Sequence, residues 1–179
     1  MRFMRMKGFK KMMCVGLCLS MFLGMGITSN AATVSGTYPT RRGAILVTSD
    51  AYKNLIPTGH AAIVWNASNV IESVSSGVVL GKNNWTTSKK KIYGIAVSST
   101  SAAQDSNVAS WCKAQIGKPY NYNYFNVTTR KKFYCSQLVW AGYKDLYNVD
   151  LNTSLFGKAV HPMELVNSDK TYTIYTYTK

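Results

Sequence analysis

Short apolar runs and two segments of helical periodicity divide the chain into strands followed by helices. Strands are predicted at residues 43–48, 60–65, 69–74, 78–80, 91–97 and 170–178, after an extended arm at 33–40. Apolar positions at helical spacing predict helices at 101–116 and from 135 to about 147, and Pro162 begins a short third helix. This order predicts an α+β fold in which a mainly antiparallel sheet packs against a few helices.

The first 31 residues have the pattern of a secretory signal peptide. A basic start precedes an apolar run from Met12 to about Ile27, and Ser29-Asn30-Ala31 places small residues at a cleavage site. The run is short for a membrane span. We therefore predict a signal peptide at 1–31, cleaved after Ala31 or Ala32, and a single domain at 32–179. The mature protein is expected to be secreted, with cell-wall association and without stable membrane insertion.

The mature chain remains strongly basic without the signal peptide. Residues 1–31 hold five of the 21 Lys and Arg residues and none of the seven Asp and Glu residues, so the net charge falls from +14 to +9. A secreted basic protein is attracted to polyanions, and anionic wall polymers are the expected partners. The basic residues form short clusters without the interleaved aromatic residues of a nucleic-acid module, so no nucleic-acid partner is predicted.

Cys135 is the candidate nucleophile. Turn-forming residues fill the preceding segment 117–126, and helical spacing begins after it, so Cys135 is predicted in the first turn of a helix. Free N–H groups and the positive end of the helix dipole stabilise a thiolate there. The other mature cysteine, Cys112, lies on a helical apolar stripe that Gly117 is expected to end, and is interpreted as a core residue. A Cys112–Cys135 disulfide is the alternative that would remove the nucleophile.

A cysteine nucleophile needs a base and a group that orients the base. His60 begins a predicted strand, and Glu72 follows twelve residues later in the next strand. A three-residue turn at Asn66-Ala67-Ser68 would place Ala62 opposite Glu72 and put His60 on the same face, one diagonal step from Glu72. Ala62, Val64, Val70 and Val74 would then share the face of His60.

The predicted roles follow from this register. Cys135 attacks an acyl carbon, His60 transfers protons, and Glu72 orients the imidazole. The backbone N–H of Cys135 is a natural oxyanion donor, and Tyr120 or Tyr122 is a candidate side-chain donor.

His161 is the competing base, although its place before Pro162 also suits a residue at a helix start. Two histidines and one spare cysteine show no metal-ligand spacing, so no metal and no cofactor is predicted.

Four segments together resemble a known family. They are Gly59-His60-Ala-Ala-Ile-Val, Val70-Ile-Glu72-Ser, Gly117-Lys-Pro-Tyr120 and Phe133-Tyr-Cys135-Ser-Gln-Leu-Val139. Their order is similar to that of the circularly permuted, papain-like NlpC-type cysteine hydrolases of the YiiX/YebB-like branch, in which the histidine hairpin precedes the cysteine helix. The resemblance spans about residues 43–165 and implies a permuted papain-like fold, with Cys135 as nucleophile, His60 as base and Glu72 as third member.

Two residues depart from the pattern of the permuted members. Asn121 stands where Asp is common after Pro-Tyr, and Gln137 stands where Glu is common after Cys-Ser. These departures bear on substrate contacts and leave the three proposed catalytic residues in place.

The expected function is that of a secreted cysteine hydrolase that cleaves an amide bond through a thioester, acting on peptidoglycan stem peptides. The resemblance also implies a wider range of acyl substrates, so a thioesterase or a lipid acyl hydrolase or acyltransferase is the second hypothesis. A cell-wall-binding protein with a vestigial triad is the third.

Overall fold

The computed structural model describes residues 31–51 and 59–179. The predicted signal peptide and most of the predicted connection at 49–58 lie outside the described residues. Within them the chain forms seven strands and three helices. The strands are β1 Thr33–Gly36, β2 Ile45–Thr48, β3 His60–Val64, β4 Asn69–Val74, β5 Gly77–Lys82, β6 Lys91–Val97 and β7 Thr171–Thr178. The helices are α1 Ala102–Lys113, α2 Cys135–Tyr147 and α3 Pro162–Asn167.

The seven strands form one antiparallel sheet in the order β1-β7-β6-β2-β3-β4-β5. Strands β2 and β3 are buried on both faces, which explains why they read as continuous apolar runs in the sequence. One face packs against the helices through residues such as Ile45, Ile63 and Leu138. The other face packs against Trp85, Ile92 and Tyr175. The predicted α+β fold with an antiparallel sheet is confirmed.

Several predicted elements have different bounds in the structure; the predicted strand at 78–80, for example, is the six-residue β5. Helix α1 ends at Lys113, three residues before the predicted end, and residues 114–117 form turns. Gly117 has a positive φ of 91° but donates its N–H to Val78 of β5, so a contact with the sheet ends this segment. The arm at 33–40 contains β1, which pairs with β7 and thereby extends the sheet edge.

The described helices are also too short or too polar to cross a membrane. The longest of them, α2, has 13 residues.

Candidate active site

The β3–β4 hairpin has the register that the sequence predicted. Ala62 pairs with Glu72, and Val64 pairs with Val70. Because side chains alternate across a strand, His60 and Glu72 lie on the same face of adjacent strands. His60 Nε2 and Glu72 Oε2 are 2.6 Å apart, so the ring N–H donates to the carboxylate. Ala62, Val64 and Val70 belong to one apolar cluster on this face, as predicted, whereas Val74, the fourth residue predicted there, is half-buried and is not part of that cluster.

Cys135 is the first residue of α2 and its side chain is fully buried. The loop before it is bound to β4, because Ser73 Oγ donates to the Phe133 carbonyl at 2.6 Å. The N–H of Asn121 donates to the same carbonyl at 3.0 Å. Since Ser73 follows Glu72 in the chain, these bonds fix the start of α2 relative to the strand that carries the carboxylate.

The side chains of Cys135 and His60 are hydrogen-bonded to each other. Since Nε2 of His60 is bonded to Glu72, Nδ1 is the ring atom left for the sulfur. The three predicted site residues therefore form one hydrogen-bonded series, from sulfur through imidazole to carboxylate.

This series favours a thiolate beside an imidazolium. Burial opposes the charge on His60, but the hydrogen bonds and charges of Cys135 and Glu72 outweigh burial and raise the pKa of His60 to about 9. Burial also opposes a thiolate, but His60 and the backbone N–H groups of Ala61 and Ser136 stabilise it and lower the pKa of Cys135. The geometry thus supplies a nucleophile that is ionised below the ordinary range of a cysteine.

The ring of Trp85 covers the imidazole of His60 on the face of the sheet that does not pack against the helices. The two ring centroids are 5.6 Å apart with planes inclined by 30°. A cavity of about 160 Å³ opens beside this pair. Its lining consists of His60, Glu72, Lys82, Asn84, Trp85, Ser88 and Lys89. The His60–Glu72 pair is therefore adjacent to a polar, lysine-rimmed cavity.

Tyr120 and Tyr122 occupy different environments although their rings are 4.8 Å apart. Tyr120 is buried, and its hydroxyl lacks a hydrogen-bond partner in the described part of the chain. Burial, and then the charge of Cys135, raise the pKa of Tyr120 far above its ordinary value, so its hydroxyl stays a donor. Tyr122 is 61% exposed. Tyr120 is therefore the better placed of the two candidate donors.

Asn121 and Gln137, the two departures from the family pattern, contact each other. Both are fully buried, and Asn121 Nδ2 donates to Gln137 Oε1 at 2.9 Å. Gln137 Nε2 lies within hydrogen-bond distance of the carbonyls of Asn126, Val127 and Thr129. These side chains hold the loop before Cys135 in place, and this accounts for their polarity in a buried position.

His161 is not hydrogen-bonded into the series formed by Cys135, His60 and Glu72. It is the residue before α3, where its Nδ1 accepts the N–H of Met163 at 3.1 Å. Its ring stacks on Phe156, with centroids 4.5 Å apart.

Cys112 and Cys135 are both free thiols, so the alternative of a Cys112–Cys135 disulfide is wrong.

Sequence reasoning missed two contributors to the site. The N–H of Ala61 supports the thiolate, and the ring of Trp85 covers the imidazole. The tryptophan follows β5 in a short 3₁₀ turn, far from His60 in sequence. In the sequence, only the presence of a single large aromatic residue after the predicted strand 78–80 pointed to Trp85.

Comparison with known proteins bears on the family and the fold of the chain. The model of a family described as permuted papain-like amidase enzymes, YaeF/YiiX, C92 family, matches residues 41–175. The uncharacterized protein YycO of Bacillus subtilis (strain 168) is 26% identical over 160 residues. That match covers 86% of this chain and 63% of YycO, so the chain spans less than two thirds of this relative's length.

A solved structure shows the same fold. The crystal structure of metalloprotein yiiX from Escherichia coli O157:H7 matches with a TM-score of 0.60 and 18% sequence identity. The match covers 77% of this chain and 97% of yiiX. The predicted permuted papain-like fold is confirmed.

Proposed function

We propose a mechanism from the premise that this chain belongs to the permuted papain-like amidase family, YaeF/YiiX, C92. Membership makes the chain a cysteine hydrolase of the amidase type. The finer proposal is that Cys135, His60 and Glu72 are the catalytic residues and that the scissile bond is an amide. The observation that carries it is the hydrogen-bonded series from Cys135 through His60 to Glu72.

The reaction proceeds in two halves. The Cys135 thiolate attacks the carbonyl carbon, and the imidazolium of His60 gives its Nδ1 proton to the leaving nitrogen as the C–N bond breaks. An amine leaves and a thioester remains on Cys135. His60, now neutral, takes a proton from water, whose oxygen attacks the thioester. The sulfur leaves as a thiolate, and the thiolate–imidazolium pair is restored with release of a carboxylic acid.

Glu72 acts through His60. Its carboxylate accepts a hydrogen bond from Nε2–H of His60, which presents Nδ1 to the sulfur and stabilises the imidazolium. The N–H of Cys135 lies in the first turn of α2, where the helix supplies no carbonyl partner, and is a donor for the oxyanion. Tyr120 is the second donor in this proposal, because its buried hydroxyl is unpartnered in the described residues.

The proposed substrate is a peptidoglycan stem peptide in the cell wall. Support comes from the predicted signal peptide at 1–31 and from the net charge of +9 that remains without it, which favours association with anionic wall polymers. Secretion and wall association are parts of this proposal.

Digestion of purified cell wall tests the proposal. Mature protein is incubated with wall, and new amino termini in the released fragments are identified by mass spectrometry. We expect wild type to release them and Cys135→Ala to release none. Tight wall binding by both forms without new termini would contradict hydrolysis and favour the binding-protein hypothesis.

An apolar acyl substrate is the second candidate, because two loops near Cys135 expose large apolar side chains. The hydroxyl of Tyr134 donates to the carbonyl of Tyr124 and accepts the N–H of Val160, so both loops meet beside α2. These loops carry exposed Tyr122, Phe125, Leu155 and Phe156. Release of fatty acid from acyl esters, without new amino termini from wall, would replace the amidase proposal by this one.

No step of this mechanism uses a metal. The matched yiiX of Escherichia coli is described as a metalloprotein. Within residues 31–51 and 59–179, however, no three His, Cys, Asp or Glu side chains cluster as metal ligands. The donor set of the described site therefore does not fit a metal centre.

A further inference from the structure

We propose that Gly81 is a positioning residue for Glu72, because the Glu72 carboxylate occupies the space that a side chain at position 81 would fill. The inference rests on the proposed catalytic role of Glu72 and adds a residue on a third strand to the site. It starts from the β4–β5 register, in which Glu72 pairs with Val79 and Val70 pairs with Gly81. Gly81 and Glu72 are thus diagonal neighbours on one face of the sheet.

The backbone gives no conformational reason for glycine at this position. Gly81 lies within β5, and it is not among the glycines with positive φ. Glycine within a strand is less favourable than alanine, since it loses more conformational freedom on folding. A glycine at such a position therefore indicates that the space above its Cα is used by another group.

That group is the carboxylate of Glu72. A Cβ on Gly81 would overlap Glu72 Oε1 and would lie 2.8 Å from Glu72 Cδ. The other carboxylate oxygen, Oε2, is the one that accepts from His60 at 2.6 Å. Both oxygens belong to one rigid planar group, so displacement of Oε1 by a methyl group also moves Oε2 away from the imidazole. The absence of a side chain at position 81 is thus what lets the carboxylate reach His60.

Gly94 provides a matched control elsewhere in the same sheet. It lies in β6, which β2 and β3 separate from β4. A Cβ on Gly94 would overlap Pro39 Cγ and lie 2.9 Å from Tyr175 Cβ. Gly94→Ala therefore also crowds the sheet, against atoms that give way less easily than the end of a glutamate side chain, but away from His60 and Glu72.

The test is the rate of Cys135 alkylation by iodoacetamide at pH 6, in the mature protein. We expect Gly81→Ala to slow the reaction at least about tenfold, since a displaced carboxylate no longer stabilises the imidazolium that supports the thiolate. Gly94→Ala should keep the wild-type rate. In a Glu72→Ala background, Gly81→Ala should cause no further loss, because no carboxylate remains to be displaced.

Several outcomes would overturn the inference. A wild-type rate in Gly81→Ala would do so, as would equal losses in Gly81→Ala and Gly94→Ala. If Gly81→Ala does not fold, the Glu72→Ala/Gly81→Ala double variant decides: folding of the double variant supports the overlap with the carboxylate, and failure to fold contradicts it.

Failure of the proposed function is distinguishable from failure of this inference. If wild-type Cys135 is unreactive at pH 6, or if His60→Ala leaves its rate unchanged, the catalytic proposal fails. The Gly81 inference is then judged by thermal unfolding. A fall in Tm caused by Gly81→Ala in the wild-type background, and absent in the Glu72→Ala background, supports it. An equal fall in both backgrounds overturns it.

Discussion

Cys112 and Cys135 lie on neighbouring helices and are both fully buried, yet their chemistry is opposite. Cys112 is near the end of α1, its Sγ lies 3.6 Å from the carbonyl of Leu138, and burial raises the pKa of its thiol well above the ordinary value. Cys135 is at the start of α2, where His60 and two backbone N–H groups lower its pKa despite equal burial. Burial alone therefore does not decide the reactivity of a cysteine; the donors that face the sulfur decide it.

The largest expected effect separates the two cysteines directly. Cys135→Ser should lower kcat/KM by about 10³-fold or more, because a serine hydroxyl is not ionised in this pH range and attacks an acyl carbon far more slowly than a thiolate. Cys112→Ala should keep kcat/KM and cost at most about 1–2 kcal/mol of stability, as a small core truncation. Hydrolysis assays and denaturant unfolding measure the two effects. Substantial turnover by Cys135→Ser would remove Cys135 as the nucleophile.

The two histidines should differ in the same way. His60→Ala should slow alkylation of Cys135 by iodoacetamide at pH 6 by about 10²-fold, because the thiolate loses its counter-ion. His161→Asn retains a side-chain acceptor for the N–H of Met163 and should leave the rate unchanged. Cys112 serves as an internal standard in the same sample, monitored by mass spectrometry. If His161→Asn slowed the alkylation of Cys135 and His60→Ala did not, His161 would be the catalytic base.

The hairpin register was predictable because the length of the turn at 66–68 fixes which residues face each other. The place of Cys135 at a helix start was predictable because turn formers end where helical spacing begins. Other features depend on contacts between distant segments. The exposed four-residue β1 pairs with β7 near the other end of the chain, and the turns that follow α1 end where the N–H of Gly117 bonds to β5. The choice between Tyr120 and Tyr122 depends on burial that the sequence does not encode locally.

The pH dependence of turnover should reflect the thiolate–imidazolium pair. The pKa of His60 is raised to about 9, so the imidazolium persists up to that pH and is lost above it. The pKa of Cys135 is lowered from 9.0, so the thiolate forms below the range of an ordinary cysteine. We expect kcat/KM to rise with thiolate formation and to fall about tenfold per pH unit above about 9. A fall that begins near pH 6.5 would indicate an unperturbed histidine.

Glu72 should matter less than the two groups it supports. Glu72→Gln keeps the shape of the side chain and an oxygen acceptor for Nε2, but it removes the negative charge that stabilises the imidazolium. Loss of this charge lowers the pKa of His60, so the alkaline limb should move below pH 9. We expect kcat/KM to fall by about 10- to 100-fold. An unchanged alkaline limb would show that Glu72 does not support the charge on His60.

The smallest expected effect compares the neighbouring tyrosines. Tyr120→Phe removes a buried hydroxyl whose pKa is raised by burial and by the charge of Cys135, while the ring and its packing remain. The N–H of Cys135 still donates to the oxyanion in this variant, so we expect kcat to fall only about tenfold. Thermal stability should be unchanged or slightly higher, because the substitution removes a buried hydroxyl that lacks a hydrogen-bond partner in the described residues. Tyr122→Phe, at an exposed ring, should keep the wild-type kcat. Equal kcat values for the two variants would show that the Tyr120 hydroxyl does not stabilise the oxyanion and that only backbone N–H groups do.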